Sequence, residues 1–291
     1  MKRLQQDRAA KKCYFTAKIL SQDCAGSCKK GSSILSNRFP LTLLQQIFWP
    51  LLGRENIIET TMRRCPAHQR NGGSTMKYDA KYIKENLYSG IICDVLDQMG
   101  YRHQALSNAI NPLKDDTVIW GPAFTAIGTE VYSMPEDPLT AQCRTVEQLG
   151  EGEIYVLVTR GNYTCALFGE LFANGILGRK GAGVLLDGYA RDIKALKEMN
   201  FPIFYRGTNP CTSKGRCEIN QCQLPIQIDG VTIEPGDYIF GDIDGIAVIP
   251  KDVVDEVIDR SIETVKKEDE VREMLQNGAS MTEAYHKNGA I

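Results

Sequence analysis

Histidine is scarce in this 291-residue chain, with three in all, and no Cys-x-x-Cys pair occurs. Those two shortages exclude the common ligand spacings of zinc ribbons and zinc fingers. Ten cysteines are present but scattered. Cys211, Cys217 and Cys222 cluster in sequence, yet their separations fit no zinc motif, and reduced thiols in a cytoplasmic protein are the expectation. Long apolar runs are also missing. The one stretch that approaches such a run, Phe39 to Gly53, is broken by two prolines and two glutamines. It is too short and too interrupted to span a membrane, and too far along the chain for a secretory signal. No strand runs into a glycine-rich cofactor loop, which counts against a methyltransferase.

Acidic residues are rare at the front. Residues 1–75 hold 13 Lys/Arg and 4 Asp/Glu, and the rest of the chain holds 21 and 32, so a net charge of −2 conceals about +9 and −11. The front segment is basic and without sustained periodicity, and it reads as a dispensable extension: a transit peptide or a non-native start. It lacks the interleaved aromatics and module signatures of a nucleic-acid binder. Neither nucleic acid nor membrane is expected as a partner. The folded domain is expected over residues 76–291, starting at Met76 in MKYDAKYIKENL.

What is present in that domain is organised around residues 154–192. Ile154 to Val158 is a short β-branched apolar run, hence a buried strand. Glu170 to about Lys180 suits a helix, with Leu171, Phe172, Ile176 and Leu177 on one side, ended by Gly181 and Gly183. Val184 to Leu186 is the next buried strand, and Asp187-Gly188 is a turn signal. A parallel strand–helix–strand unit returns the chain to the edge it left. About twelve helical residues descend roughly 18 Å, and five strand residues climb back roughly 17 Å. The helix start and the end of the second strand therefore lie side by side. Gly169, Glu170, Arg191 and Asp192 meet at that edge, which is where open α/β sheets bind ligands.

The chemistry of this set is specific. Two carboxylates suit a hard divalent cation that keeps several waters. A helix start suits an anion, and an arginine suits a carboxylate or a developing enolate oxygen. A small keto acid chelated to a metal would use all three. Local structure offers a second explanation: Asp192 would cap the helix IKALKEM, and Glu170 would only compensate the dipole of its own helix.

Along the rest of the domain, Asp79 to Glu85 suggests one or two helical turns. Ser89 is placed to cap the helix GIICDVLDQM, in which Asp94 reads as a half-buried, satisfied carboxylate. Val118 to Thr129 is strand material bent at Gly121-Pro122, and Thr140 to Leu149 a short helix. Pro202 to Tyr205 is a third strand. Gly207 to Cys222 is loop-like, with a strand starting near Glu218. Asp229-Gly230 signals a tight hairpin. A second hairpin turns at Asp242 to Gly245, whose DxDG text lacks the further ligands of a calcium loop. Lys251 to Asn277 is one long amphipathic helix, and Ser280 can cap a final short one.

Glu170, then twenty residues, then Arg191-Asp192 resembles the signature of the RraA-like superfamily. This family contains the regulator of ribonuclease E activity A and the class II 4-hydroxy-4-methyl-2-oxoglutarate / 4-carboxy-4-hydroxy-2-oxoadipate aldolases. The surrounding text is similar as well: FGELFA, GVLLDGYARD, FPIFYRGTNP and VTIEPGDYIFGDIDGIAVIP. The similarity runs from about residue 80 to 291. It departs at Glu170, where the family often carries the shorter Asp, and mildly at Glu153. The long tail with Tyr285 and Gly289 is similar to the aldolase branch.

The resemblance implies an α/β fold, a β/β/α sandwich of the swivelling-domain type with a long C-terminal helix, assembled as a homotrimer or a dimer of trimers. It implies a lyase that cleaves 4-hydroxy-2-oxo acids to pyruvate and decarboxylates oxaloacetate through a pyruvate enolate. Asp192 would bind Mg²⁺ or Mn²⁺ directly and Glu170 through water. Arg191 would hold the keto oxygen, and the backbone of Gly169, Glu170, Leu171 and Phe172 would receive the substrate carboxylate. The other branch of the resemblance implies a non-catalytic regulator that binds ribonuclease E or another protein. A chain beginning at Met76 is expected to fold with an unchanged thermal midpoint; failure of that shortened chain to fold would show that residues 1–75 belong to the domain.

Overall fold

In the computed structural model the described residues are 76–161 and 163–288. The expected extension, residues 1–75, lies outside them, as does Gly289. Two helices come first, α1 (Ala80–Asn86) and α2 (Ser89–Gln98). They are followed by the short strand β1 (Asn111–Pro112), the long strand β2 (Ile119–Glu130) and helix α3 (Thr140–Glu147). The central unit is β3 (Ile154–Val158), β4 (Ala166–Phe168), α4 (Glu170–Gly178) and β5 (Gly183–Ala190). After it come α5 (Ile193–Glu198), β6 (Ile203–Thr208) and β7 (Cys217–Cys222). Two hairpins follow, β8 (Ile226–Ile228) with β9 (Val231–Ile233), and β10 (Tyr238–Gly241) with β11 (Ile246–Ile249). The chain closes with α6 (Val254–Gln276) and α7 (Met281–Asn288). No helix among the described residues is long and apolar enough to cross a membrane.

Nine of the strands form one mixed sheet among the described residues. β2 ties it together. Its first residues pair antiparallel with β10, its middle pairs parallel with β3, and its end pairs antiparallel with β7. β3, β5 and β6 run parallel, as the strand–helix–strand pattern predicts. Strand alternation then sorts the core. Tyr155 and Leu157 of β3 face α3, α4 and α5, in a cluster with Val146, Ile176 and Leu196. Ile154, Val156 and Val158 face the other way, under the β8–β9 hairpin. A third cluster packs α1, α2 and α6 against β10 and β11. The sheet therefore carries helices on one face and a β-layer on the other, the expected β/β/α sandwich with a long C-terminal helix.

Several local expectations change. Ser89 does not cap α2; it is the first helical residue, and its amide and hydroxyl donate to the Asp242 carboxylate at 2.7 and 2.6 Å. A charged acceptor brought in by a distant hairpin outcompetes the local cap. The same carboxylate accepts from the Asp244 and Gly245 amides, so the DxDG text is a turn, as expected. Asp94 is exposed rather than half-buried. Asp187-Gly188 is not a turn but lies inside β5, where the register against β6 slips between Leu186 and Tyr189. This is a β-bulge opposite Arg206, and pairing with strands on both sides overrides the local Asp-Gly signal. Gly188 is required there, because a Cβ would sit 2.6 Å from the Thr159 methyl.

The bulge serves a clasp. Asp187 and Arg206 share the face that the β8–β9 hairpin covers, and Arg206 pairs with both Asp187 and Asp229 at the hairpin tip. Asp229 and Gly230 have φ of 50° and 86°, matching the two left-handed positions of the expected tight turn. Ser107 Oγ donates to Asp229 at 2.6 Å. Burial pushes the Asp229 carboxyl up, but the Ser107 hydrogen bond and the Arg206 charge outweigh it and hold the group below the usual carboxylate range. A depressed folded value means that the clasp contributes fully above the unfolded value of about 4 and is lost as pH falls through the lower folded value. Arg206→Ala is expected to cost about 3 kcal/mol in denaturant unfolding at neutral pH, since Asp187 stays buried without its partner. Asp229→Asn is expected to flatten the loss of stability in acid, which a thermal-midpoint series from pH 6 to pH 3 would read.

Candidate functional site

Three segments build the site. β4 pairs parallel with the last residues of β5, Ala166 with Tyr189 and Phe168 with Ala190. The Arg191 amide donates to the Phe168 carbonyl at 2.9 Å, and the Asn209 amide to the Ala190 carbonyl at 3.1 Å. Arg191 and Asp192 are thus fixed by backbone on both sides. Phe168 leads through Gly169 directly into α4. The start of that helix is thereby set against the end of β5, as the length argument from the sequence requires.

Asp192 decides between the two explanations of its presence. It occupies the N-cap position of α5 but makes no side-chain capping bond there. Its backbone is left-handed, with φ of 59°, a conformation that costs a non-glycine residue energy and collects at functional sites. The carboxylate turns instead to the other helix: Oδ2 accepts from the Glu170 amide at 3.3 Å and lies 3.6 Å from Arg191 Nε. Gly169 makes room for it. A Cβ at Gly169 would sit 2.5 Å from Asp192 Oδ2, closer than real Cβ contacts come, and a tight 3.2 Å from Arg191 Cγ.

Glu170 is the first residue of α4, as expected. Its carboxylate is held by Asn174 Nδ2 at 2.8 Å, and the same amide reaches the Glu170 carbonyl at 3.1 Å. Sequence reasoning passed over Asn174, although its i+4 spacing on a helix is a legible pairing signal. It also passed over the three-residue strand β4. The first intrahelical bond of α4 runs from the Ala173 amide to the Gly169 carbonyl at 3.1 Å. The amides of Leu171 and Phe172 therefore have no intrahelical acceptor. The expected apolar side of α4 is only partly correct: Ala173 and Ile176 are buried, Phe172 packs at the core margin, but Leu171 is 76 % exposed. Its backbone faces the site edge while its side chain lies open to solvent.

The side chains of Arg191 and Asp192 are half exposed, at 40 % and 43 %. The site is thus an open edge where one guanidinium and the Asp192 carboxylate meet the donor end of a helix, with the Glu170 carboxylate bonded to Asn174 one turn along it. Among the described residues no group of three or more His, Cys, Asp or Glu side chains is arranged to hold a metal ion. A closed zinc or calcium cage is therefore not built here. One or two carboxylates with water completing the shell is the donor set that Mg²⁺ accepts.

An α/β sandwich whose parallel strands end in an acid–arginine edge at a helix start defines the class. The comparisons name the family. A family model for RraA-like proteins, aldolase/RraA, matches residues 90–248. A Halalkalibacterium halodurans protein provisionally named a 4-hydroxy-4-methyl-2-oxoglutarate aldolase is 37 % identical over 183 residues, covering 62 % of this chain and 81 % of that protein. Protein DlpA of Legionella pneumophila is 31 % identical over 202 residues, covering 68 % of this chain. The match spans only 32 % of DlpA's own length. The crystal structure of Streptomyces coelicolor RraAS2, described as an unusual member of the RNase ES inhibitor RraA family, superposes with a TM-score of 0.59 at 25 % identity, covering 67 % of this chain and 97 % of that one. The chain belongs to the RraA-like family.

Gly169→Ala is expected to fold and to drive the Asp192 carboxylate away from the Glu170 amide. A crystal structure of the variant would test this; an unmoved Asp192 would mean that the glycine is not what admits it.

Proposed function

We propose that this chain is a divalent-metal-dependent lyase that cleaves 4-hydroxy-2-oxo acids of the 4-hydroxy-4-methyl-2-oxoglutarate type and decarboxylates oxaloacetate, releasing pyruvate. The observation that carries the proposal is the Asp192 carboxylate, turned away from its own helix and held beside Arg191 at the start of α4. Relatives provisionally named 4-hydroxy-4-methyl-2-oxoglutarate aldolases, at 25 to 37 % identity, support the aldolase chemistry.

In this proposal Asp192 would hold Mg²⁺ or Mn²⁺ directly and Glu170 through water, with Asn174 orienting the Glu170 carboxylate. When bound, the ion supplies Lewis-acid charge beside the keto oxygen. The chain's own groups do the rest. The free amides of Leu171 and Phe172, with the positive end of the α4 dipole, receive the substrate's C1 carboxylate. Gly169 and Glu170 set the backbone that aims them. Arg191 donates to the keto oxygen and neutralises charge as it develops there. Cleavage of the C3–C4 bond passes the proton of the C4 hydroxyl to water at this open edge, makes a carbonyl at C4 and leaves the bonding pair as the enolate of pyruvate, which takes a proton from water at C3. Loss of CO₂ from oxaloacetate leaves the same enolate, so one site serves both reactions. No Schiff-base lysine is required. A homotrimer or dimer of trimers belongs to the same proposal.

The test is pyruvate release from oxaloacetate and from 4-hydroxy-4-methyl-2-oxoglutarate by the full chain with Mg²⁺ or Mn²⁺. Release is expected to vanish with EDTA and in Asp192→Ala. Arg191→Ala is expected to lower kcat by about 10²–10³, the usual loss for a group that stabilises developing oxyanion charge. Near wild-type turnover in Arg191→Ala would remove it from the chemistry. No release from either substrate, together with capture of ribonuclease E, would support a regulator instead.

A further inference from the structure

A second feature lies on the opposite face of the sheet from α4. Val158 is the last residue of β3 and belongs to the cluster beneath the β8–β9 hairpin. Beside it opens a groove of about 540 Å³, lined by Ile127, Val158, Pro225, Ile226, Gln227, Thr232 and Arg160. That volume is in the range of small-molecule sites, roughly 300–1,000 Å³. Ile127 is half-exposed there, while Val158 and Ile226 line it from nearly buried positions. Gln227 and Thr232 are a cross-strand pair on the outer side of the hairpin and supply polar atoms at the rim.

Arg160 supplies the only charge among these lining residues. It pairs with no carboxylate among the described residues. Its backbone is left-handed, with φ of 53°. The segment leading into the opposite wall repeats this: Gln223 has φ of 55°, and its Oε1 is buried without a hydrogen-bond partner. Arg160 is thus a strained non-glycine residue in the lining of the groove itself, the pattern expected where surrounding structure holds a binding geometry. The groove is also at the carboxyl end of a central parallel strand, the usual ligand edge of an α/β sheet.

We propose that this groove is a binding site, separate from the Arg191–Asp192 edge, for a small amphipathic monocarboxylate. The aliphatic body would lie on Ile127, Val158 and Ile226, and the carboxylate would pair with the Arg160 guanidinium. One cation beside the apolar side chains of Ile127, Pro225 and Ile226, with the neutral Gln227 and Thr232 at the rim, selects a single negative charge joined to a short apolar body. A polyanion such as a nucleic acid would find no further positive groups in the lining. The proposal does not depend on the lyase reading.

Hexanoate is the probe, titrated into the full chain by calorimetry, with hexylamine and hexanol as comparators. Hexanoate is expected to bind, and hexylamine is not. Arg160→Gln, at an exposed position, is expected to weaken hexanoate by about tenfold or more, the usual loss of a charge-assisted pair. Thr232→Tyr, on the exposed side of β9, is expected to block the groove, while Arg191→Gln leaves hexanoate binding unchanged. Equal binding of hexanoate to wild type and Arg160→Gln would overturn the site, as would loss of binding in Arg191→Gln instead. No binding of hexanoate to the wild-type chain would overturn it too. Self-association in sedimentation that Thr232→Tyr disrupts and hexanoate does not would assign the groove to a second copy of the chain.

Discussion

The Asp192 carboxylate can rest against the start of α4 because the α-carbon of Gly169 bears no side chain. A methyl group there would overlap Asp192 Oδ2 at 2.5 Å. Backbone contacts surround this close approach. β4 pairs with the end of β5, the Arg191 amide is tied to the Phe168 carbonyl, and the Glu170 amide finds its acceptor in Asp192. The strained backbone of Asp192 is held by these bonds from neighbouring segments rather than by any local capping gain. A carboxylate is kept beside a guanidinium and a set of free amides, instead of being spent on the helix it begins.

The platform beneath that edge is a sheet with different partners on its two faces. Strand alternation sends Tyr155 and Leu157 to the helices and Val156 and Val158 to the β8–β9 layer. The helical face carries the Arg191–Asp192 edge, through α4. The other face is closed by the Arg206 clasp, in which one guanidinium lies between two carboxylates and all three are mostly withdrawn from water. Buried ionic groups of this kind contribute little net stability against apolar replacements, but removing one partner is costly. Their role here is registration: the bulge at Asp187-Gly188 matches β5 to β6 while the same arginine pins the hairpin tip.

Much of this was legible in the chain. Apolar runs with β-branched residues marked β3, β5 and β6, and residue counts alone brought Gly169, Glu170, Arg191 and Asp192 to one edge. The Asp229-Gly230 turn and the long helix α6 followed from turn chemistry and helical period. What escaped had non-local causes. Ser89 is a good N-cap by type, but a carboxylate more than 150 residues away claims its hydroxyl. Asp187-Gly188 is a turn by type, but strands on both sides of β5 keep it extended. Leu171 is apolar by type, but the site edge leaves its side chain uncovered.

The sequence by itself determined which residues can meet, because helix rise, strand rise and the parallel connection constrain where the ends of each element fall. It also determined the chemical kinds gathered there: a guanidinium, two carboxylates and a helix start. Only the tertiary structure decided what each group does with its partners. Whether Asp192 capped its own helix or faced its neighbour depended on the φ of one residue and the missing side chain of another. The glycine is written in the chain, but the backbone at Asp192 is placed by the packing of β4 against β5, a contact that no local propensity encodes.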